Sequence, residues 1–395
     1  MALALEGLLV LDLTRVLAGP YATMILADLG ADVIKLEMPV TGDDSRAFPP
    51  HINGESAYFM SLNRNKRSIT LNLKTAGGKE IFLDMIRKVD VVVENFRPGT
   101  MERLGLGYEV LKKENPRLIY AAASGFGHTG PYSKRPAYDA VVQAMGGIMS
   151  ITGQPGGPPT RVGTSMGDIT AGLFTTIGIL ASLAHREKTG DGQKVDVAML
   201  DSQVAILENA IARYTAVGEV PEPIGNRHPS ITPFEPFNTK DGQLMIAVGN
   251  NALWSKFCKE IERDKLRDDP RFSTNMLRTA NYTELRPLLA GALRDKTTAE
   301  WRRIFDESGI PNGPINSVDQ VIADPQVIAR EMIVEVDHPV AGKTSLPGIP
   351  IKLSETPGTI REPAPLLGEH TVEILSEVFG YTPDQIEAMK EQGLF

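Results

Sequence analysis

The residues best equipped for chemistry sit in Gly163-Thr-Ser-Met-Gly-Asp-Ile-Thr-Ala-Gly172. Asp168 stands directly before Ile169–Ala184, a run of 16 residues without a charge, which turns basic at His185, Arg186 and Lys188 and stops at Gly190. An acid at the start, cations in the last turn and a glycine beyond the end predict a helix capped by Asp168. A helix that is apolar on every side is a buried one. The dipole and free N–H groups at its N-terminus favour an ionised carboxylate. Partly desolvated and approached by a glycine-rich loop, that carboxylate is a candidate nucleophile. The plain alternative is that Asp168 is a cap and nothing more.

Two further motifs compete. Gly163-Thr-Ser-Met-Gly167 has the G-x-S-x-G form of a serine-hydrolase elbow, with His338 or His370 as the base for Ser165. An elbow needs an apolar strand immediately before the serine, and Gly156-Gly-Pro-Pro-Thr-Arg-Val-Gly163 is a poor one. Gly342-Lys343-Thr344 resembles the end of a P-loop, but Asp337 occupies the position of its first glycine. A third chemistry is anion binding. Arg15, Lys35, Arg64, Lys66, Arg67, Arg97, Arg103, Lys134 and Arg135 cluster in the first 135 positions, several of them at the ends of predicted strands or in the loops after them. That is where open α/β sheets bind ligands, and a phosphorylated cofactor would be held there.

The elements that must position these groups alternate. Strands are expected at 8–13, 31–36, 68–73, 91–95, 118–122 and 193–198. Helices are expected at 18–29, 76–89, 137–151, 168–189 and 201–214. This order reads as a doubly wound α/β domain. The first strand–turn–helix lacks G-x-G-x-x-G, since only Gly19 lies in the turn, which disfavours NAD or FAD. Between Gly218 and Pro236 the texture shifts to Pro, Gly and short polar pieces, marking entry into a second domain. Beyond it, a strand at 244–248 and helices at 252–261, 283–294 and 298–308 are expected, and two more helices at 371–379 and 382–392.

Composition narrows the classes. The chain has 395 residues and a net charge of -8, which argues against a nucleic-acid surface or a polybasic membrane patch. One cysteine, Cys258, excludes a disulfide framework and a Cys-based metal site within one chain, and fits a reducing, cytoplasmic compartment. The six histidines have no ligand spacing, so no metal is expected. The N-terminus has no basic n-region and long apolar core, as a secretory signal requires. The apolar run after Asp168 is too short and too well placed inside a fold for a convincing membrane span.

The chain resembles the class III coenzyme A transferases, the CaiB/BaiF family. The resemblance covers essentially the whole chain. It rests on Val10-Leu-Asp-Leu-Thr-Arg-Val-Leu-Ala-Gly-Pro20, Gly30-Ala-Asp-Val-Ile-Lys-Leu-Glu37, Asn63-Arg-Asn-Lys-Arg-Ser68, Glu94-Asn-Phe-Arg-Pro-Gly99, Ser124-Gly-Phe-Gly-His-Thr-Gly-Pro131, Gly167-Asp-Ile-Thr-Ala-Gly172 and Pro365-Leu-Leu-Gly-Glu-His-Thr371. It implies that Asp168 is the nucleophile. It also implies a Rossmann-like open parallel-sheet large domain built from both ends of the chain, a smaller α+β domain from the middle, and an interlocked-ring homodimer. The expected division is 1–217 and 329–395 for the large domain and 218–328 for the small one.

The implied chemistry moves CoA from a donor acyl-CoA to a free acid through aspartyl anhydride and aspartyl-CoA thioester intermediates. CoA is then a substrate and no cofactor is tightly bound. By motif, its contacts fall on Arg15, Val16, Leu17, Ala18, Met38, Leu71, Asn72, Lys74, Asn95, Phe96, Arg97, Arg103, Ala137 and Tyr138. Against the formyl-CoA:oxalate branch, Leu17 replaces Gln, Met38 replaces Arg and Pro136 replaces Lys. The wording of Thr14–Pro20, Gly249-Asn-Asn251 and Pro311–Asn316 is closer to the succinyl-CoA:dicarboxylate branch, which makes succinyl-CoA the expected donor and a small dicarboxylate the acceptor. Gly249, Asn250 and Arg46 are the candidates for the acceptor. The related α-methylacyl-CoA racemases need a His paired with the Asp, and here Tyr138 stands at that position.

Overall fold

A computed structural model describes residues 2–395. Cα packing divides the chain into two units, one formed by 1–149, 161–218 and 326–395, the other by 150–160 and 219–325.

The first unit is organised on six parallel strands: β1 (Leu9–Asp12), β2 (Asp32–Glu37), β3 (Lys66–Thr70), β4 (Val91–Glu94), β5 (Ile119–Ser124) and β6 (Lys194–Ala198). Their spatial order is β3-β2-β1-β4-β5-β6. The central strands β1 and β4 are short and apolar because both of their faces are covered. Leu11, Ile34 and Val92 point into one core, and their neighbours Val10, Val33 and Val91 point into the other. The C-terminal segment completes the first of these cores with Ile374, Leu375, Phe379, Ile386 and Leu394. The strand order reverses between β1 and β4, so the loops leaving these two strands part there and leave a crevice.

Helix α1 (Ala18–Asp28) follows β1 and carries Pro20 in its first turn. The expected helix over 137–151 is two pieces, α2 (Asp139–Met145) and a turn at Ile148–Ile151, broken at Gly146-Gly147, where Gly147 takes φ +88°. Helix α3 (Met166–Thr189) is 24 residues long. It packs on α1 so closely that a Cβ at Gly172 would stand 2.7 Å from the Ala18 carbonyl oxygen. Its last turn is tied in by Arg186, which pairs with Asp90 at 3.0 Å. The length and composition of α3 would suffice to cross a membrane, but one face of it belongs to the core of this unit.

Two expectations about α3 are corrected. It begins at Met166, two residues earlier than predicted, so Asp168 lies in its first turn instead of at the cap. Nor is it buried all round: Leu173, Phe174, Ile177 and Leu180 are exposed on one face, Ile177 at 58%.

The second unit has its own core. Strands β7 (Phe234–Asn238), β8 (Gln243–Ala247) and β9 (Asn312–Pro314) form an antiparallel sheet in the order β9-β8-β7. Helices α4 (Asn251–Glu260), α5 (Tyr282–Leu293) and α6 (Thr298–Ser308) contribute Trp254, Phe257, Leu285, Leu289, Trp301 and Phe305 to that core. Strands β10 (Ile333–His338) and β11 (Gly342–Pro347) form a regular hairpin in the first unit.

Candidate active site

The site grows from the turn after β1. Asp12 ends that strand fully buried, and its carboxylate accepts from the Thr14 amide at 2.8 Å, the Thr23 hydroxyl at 2.7 Å and Lys66 Nζ at 3.0 Å. Lys35, equally buried, donates to the Thr14 carbonyl at 2.9 Å and pairs with Asp43 at 2.9 Å. Asp43 in turn accepts the Val16 amide at 3.1 Å. Burial alone would raise the Asp43 carboxyl, but Lys35 and the amides of Ser45 and Val16 hold it well below the usual carboxylate range. This buried frame holds Val16 at φ +68°, a left-handed conformation that costs a β-branched residue about 1–3 kcal/mol.

The loop after β4 meets this turn. Asn95 Oδ1 accepts the Arg15 amide at 2.8 Å while its Nδ2 donates to the Arg15 carbonyl at 2.7 Å. The Arg15 guanidinium lies 5.3 Å from the centre of the Phe96 ring. Glu94 accepts the Phe96 amide at 2.7 Å and the Tyr120 hydroxyl at 3.0 Å. Burial pushes its carboxyl up to about 7 against the pull of those two donors.

Two cavities open at these loops. One, of about 230 Å³, is lined by Arg15, Val16, Leu17, Ala18, Asn95, Phe96, Arg97, Ala137, Tyr138 and Asp168. The other, of about 290 Å³ and more apolar, is lined by Arg15, Met38, Leu71, Lys74 and Phe96, with Leu13, Leu36, Leu73 and Leu104. Arg15 and Phe96 face both. Two of the expected contact residues line neither cavity. Asn72 instead accepts the Lys74 amide at 3.1 Å, and Arg103 donates to the Thr100 hydroxyl at 2.8 Å.

Several sequence expectations meet a different use. Lys35, Arg64 and Lys66 are buried in ion pairs with Asp43, Asp28 and Asp12, and Arg67 bridges Asp32 and Glu373, so none of these is free to hold an anion. Arg46 donates two bonds to Glu37, at 2.8 and 2.7 Å, and stacks 3.7 Å from the centre of the Phe59 ring. In the second unit, Asn250 caps α4 by accepting the Leu253 amide at 2.9 Å, directly after Gly249.

Asp168 faces the first cavity, and its carboxylate has no hydrogen-bond partner among the described residues. The capping role assigned to it belongs to Asp139, which the sequence reading missed. From the first turn of α2, Asp139 Oδ1 accepts the Gly167 amide at 2.8 Å, and its Oδ2 is held by Gln143 at 2.9 Å and by Arg161 at 3.2 Å. Nothing in the spacing of Asp139 signalled this, because the bond crosses 28 residues.

The expected ionisation of Asp168 is corrected accordingly. Burial pushes its carboxyl up to about 7, the negative charge of Asp139 adds to that, and Arg161 opposes it. Tyr58 feels the same group: burial, then the charges of Asp168, Asp43 and Asp139, push its hydroxyl up to about 12, so it stays protonated.

Among the described residues no imidazole is hydrogen-bonded to Asp168. His128 takes Lys194 Nζ at its Nδ1, 3.0 Å away, and turns its Nε2 toward Glu94 at 3.7 Å. His338 accepts the Val340 and Ala341 amides in its own hairpin, and His370 accepts the Ser68 amide, so neither is hydrogen-bonded to Ser165. The racemase pairing and the serine triad are both unassembled in the described residues.

What remains is a carboxylate without a hydrogen-bond partner among the described residues, facing a cavity lined by Arg15, Asn95 and Phe96. The profile of CoA-transferase family III matches residues 5–371. The chain belongs to this family. It is an enzyme, a family III CoA-transferase. It is 44% identical to the succinyl-CoA:glutarate CoA-transferase of Mus musculus over 391 residues, which cover 99% of this chain and 90% of that one. It is 48% identical to the acetyl-CoA:oxalate CoA-transferase of Acetobacter aceti over 350 residues, covering 88% and 89%. A crystal structure of a CaiB/BaiF family protein from Brucella suis superposes with a TM-score of 0.85 at 39% identity, covering 96% of this chain and 100% of the other. The six-stranded parallel sheet of this transferase is thus that of its family.

Proposed function

We propose that this transferase moves CoA from succinyl-CoA to a small dicarboxylic acid, with Asp168 as the covalent carrier. The observation that carries the reading is the Asp168 carboxylate, without a hydrogen-bond partner and facing a cavity whose walls include the Arg15–Ala18 and Asn95–Arg97 loops. In the proposed sequence, a carboxylate oxygen of Asp168 attacks the thioester carbonyl. The C–S bond breaks, CoA leaves as thiolate, and a mixed anhydride remains. The thiolate attacks the aspartyl carbonyl, and the donor acid departs as carboxylate. The acceptor carboxylate then attacks the aspartyl-CoA thioester, and the same two steps run in reverse and restore Asp168. Each exchange conserves an activated acyl bond, so no other energy source is needed. Water would hydrolyse both intermediates, and the site must exclude it.

The leucine-lined cavity suits the adenine end of CoA, with Lys74 at its rim for phosphate. The cavity at Asp168 suits the thioester end. Succinyl-CoA and glutarate follow from the wording of the motifs and from the mouse relative. The 48% identity to an acetyl-CoA:oxalate transferase supports oxalate as the second acceptor to try. The same proposal includes a homodimer, interlocked as the family resemblance implies, supported by the bare apolar face of α3. Cytoplasmic residence is proposed from the lone, buried Cys258. A panel of glutarate, other short dicarboxylates and oxalate against succinyl- and acetyl-CoA, read by mass spectrometry, tests the substrate pair. Faster transfer to monocarboxylates than to any dicarboxylate would refute it.

A further inference from the structure

The second unit holds a polar cavity of about 350 Å³, lined by Asn226, Arg227, Glu235, Asn238, Tyr282 and Arg286 among others. Its charges do not cancel. Glu235, 5% exposed, accepts Arg286 Nε at 2.8 Å and the Tyr282 hydroxyl at 3.0 Å, so one arginine is neutralised in place. Arg227 is not. Its guanidinium lies 4.3 Å from the centre of the Tyr282 ring, and it has no hydrogen bond or ion pair with any described residue. Its Nε is enclosed by protein without an acceptor. That nitrogen has lost water without replacing it, and the two terminal nitrogens, which are not enclosed, have no protein acceptor either. Stacking on Tyr282 fixes the plane of the fork, and such a fixed fork matches a carboxylate. Amides stand beside it: Gln243 donates to Asn238 Oδ1 at 2.9 Å, which leaves Asn238 Nδ2 as a donor.

We propose that this cavity is a binding site for the carboxylate of a small organic acid, with Arg227 as its principal ligand. A carboxylate group, which brings one charge to the Arg227 fork, suits it better than a phosphate group that brings two to the same point, because the Glu235 carboxylate shares the cavity and the two arginines exceed it by one charge; a dicarboxylic acid would engage the fork with one end only. The proposal does not depend on covalent chemistry at Asp168.

The test is isothermal titration of the full-length protein with glutarate, and separately with inorganic phosphate, without any acyl-CoA. Saturable glutarate binding is expected, weakened about tenfold or more by Arg227→Gln. Gln243→Glu places a second carboxylate at the cavity from an exposed strand position and should weaken binding similarly. Should Arg227→Gln fail to fold by circular dichroism, Gln243→Glu decides. Equal affinity in wild type and variants, or no saturation up to about 20 mM, overturns the proposal. Arg227-dependent binding of phosphate but not glutarate overturns the carboxylate assignment. Because no turnover is measured, a chain that had failed as a transferase through Asp168→Ala would still bind, and the two failures stay separate.

Discussion

A carboxylate pushed up to about 7 is only half ionised at neutral pH. If Asp168 attacks as the anion, kcat/KM for acyl-CoA rises with pH through about 7 and levels above it. Glu94 is pushed to a similar range, so the variants must separate the two. Glu94→Gln should raise KM for acyl-CoA through the Phe96 loop and keep the limb in the profile, and losing the limb would assign it to Glu94. Asp168→Ala should lower kcat by about four orders of magnitude or more while CoA still binds. The same group bears on stability, with a definite sign. Its pKa is raised in the folded state, so the folded chain holds a proton that the unfolded chain releases between about 4 and 7, and stability falls with rising pH across that window. Asp168→Asn should therefore stabilise the protein at pH 8 by about 1–3 kcal/mol and leave it unchanged near pH 3, as read by urea unfolding. The place of Asp168 at the head of a long helix was legible because a glycine-rich approach meets a long apolar run there, while its role as nucleophile was implied only by the family resemblance. Its freedom from capping was not, since that depends on Asp139 reaching across from another helix.

At the scale of elements, the turn from β1 into α1 is held from beneath by buried charge. Asp43 touches both Lys35 and the strained Val16 amide. Asp43→Asn leaves the Lys35 ammonium short of a partner and should destabilise the protein by about 3–5 kcal/mol. A rise in KM for acyl-CoA should accompany this in the fraction that folds, and a variant with unchanged KM would show that Val16 does not need the frame. The packing of α1 on α3 has a similar dependence on Gly172, where a valine would drive the helices apart at Ala18 and lower both stability and CoA affinity. Strand positions were readable from apolar runs bounded by glycine and proline. Helix boundaries were less so. The predicted helix over 201–214 divides into Met199–Ala205 and Glu208–Val217, with Glu208 at φ +21°, and no sequence signal marks that break. The basic cluster misled for a related reason. Lys35 and Lys66 lie in strands, and only tertiary packing shows that their partners are internal.

At the scale of the whole molecule, the strand order places the crevice between β1 and β4, and two of the loops that line the Asp168 cavity leave those strands, while Ser124, Gly125, Ala137 and Tyr138 after β5 line it too. The alternation of strands and helices announced a parallel sheet, but the order of its strands is a tertiary fact. So is the return of residues 371–395 to the first unit, which the family resemblance implied and which the apolar spacing of Ile374, Leu375 and Phe379 by itself allows without indicating. The bare face of α3 (Leu173, Phe174, Ile177 and Leu180) is larger than scattered surface apolars require. A dimer covering it should dissociate, or fail to form, in Ile177→Asp, as sedimentation velocity would show. A wild-type chain that sediments as a monomer at micromolar concentration would refute the dimer.

The most direct measurement is of the covalent carrier. Wild-type enzyme is mixed with succinyl-CoA, quenched with hydroxylamine or borohydride, and digested, and the peptide containing Asp168 is weighed. A hydroxamate or a reduced side chain at Asp168, absent without succinyl-CoA, is the predicted result. An enzyme that turns over at full rate with that peptide unmodified, or with the label on Ser165, would contradict it.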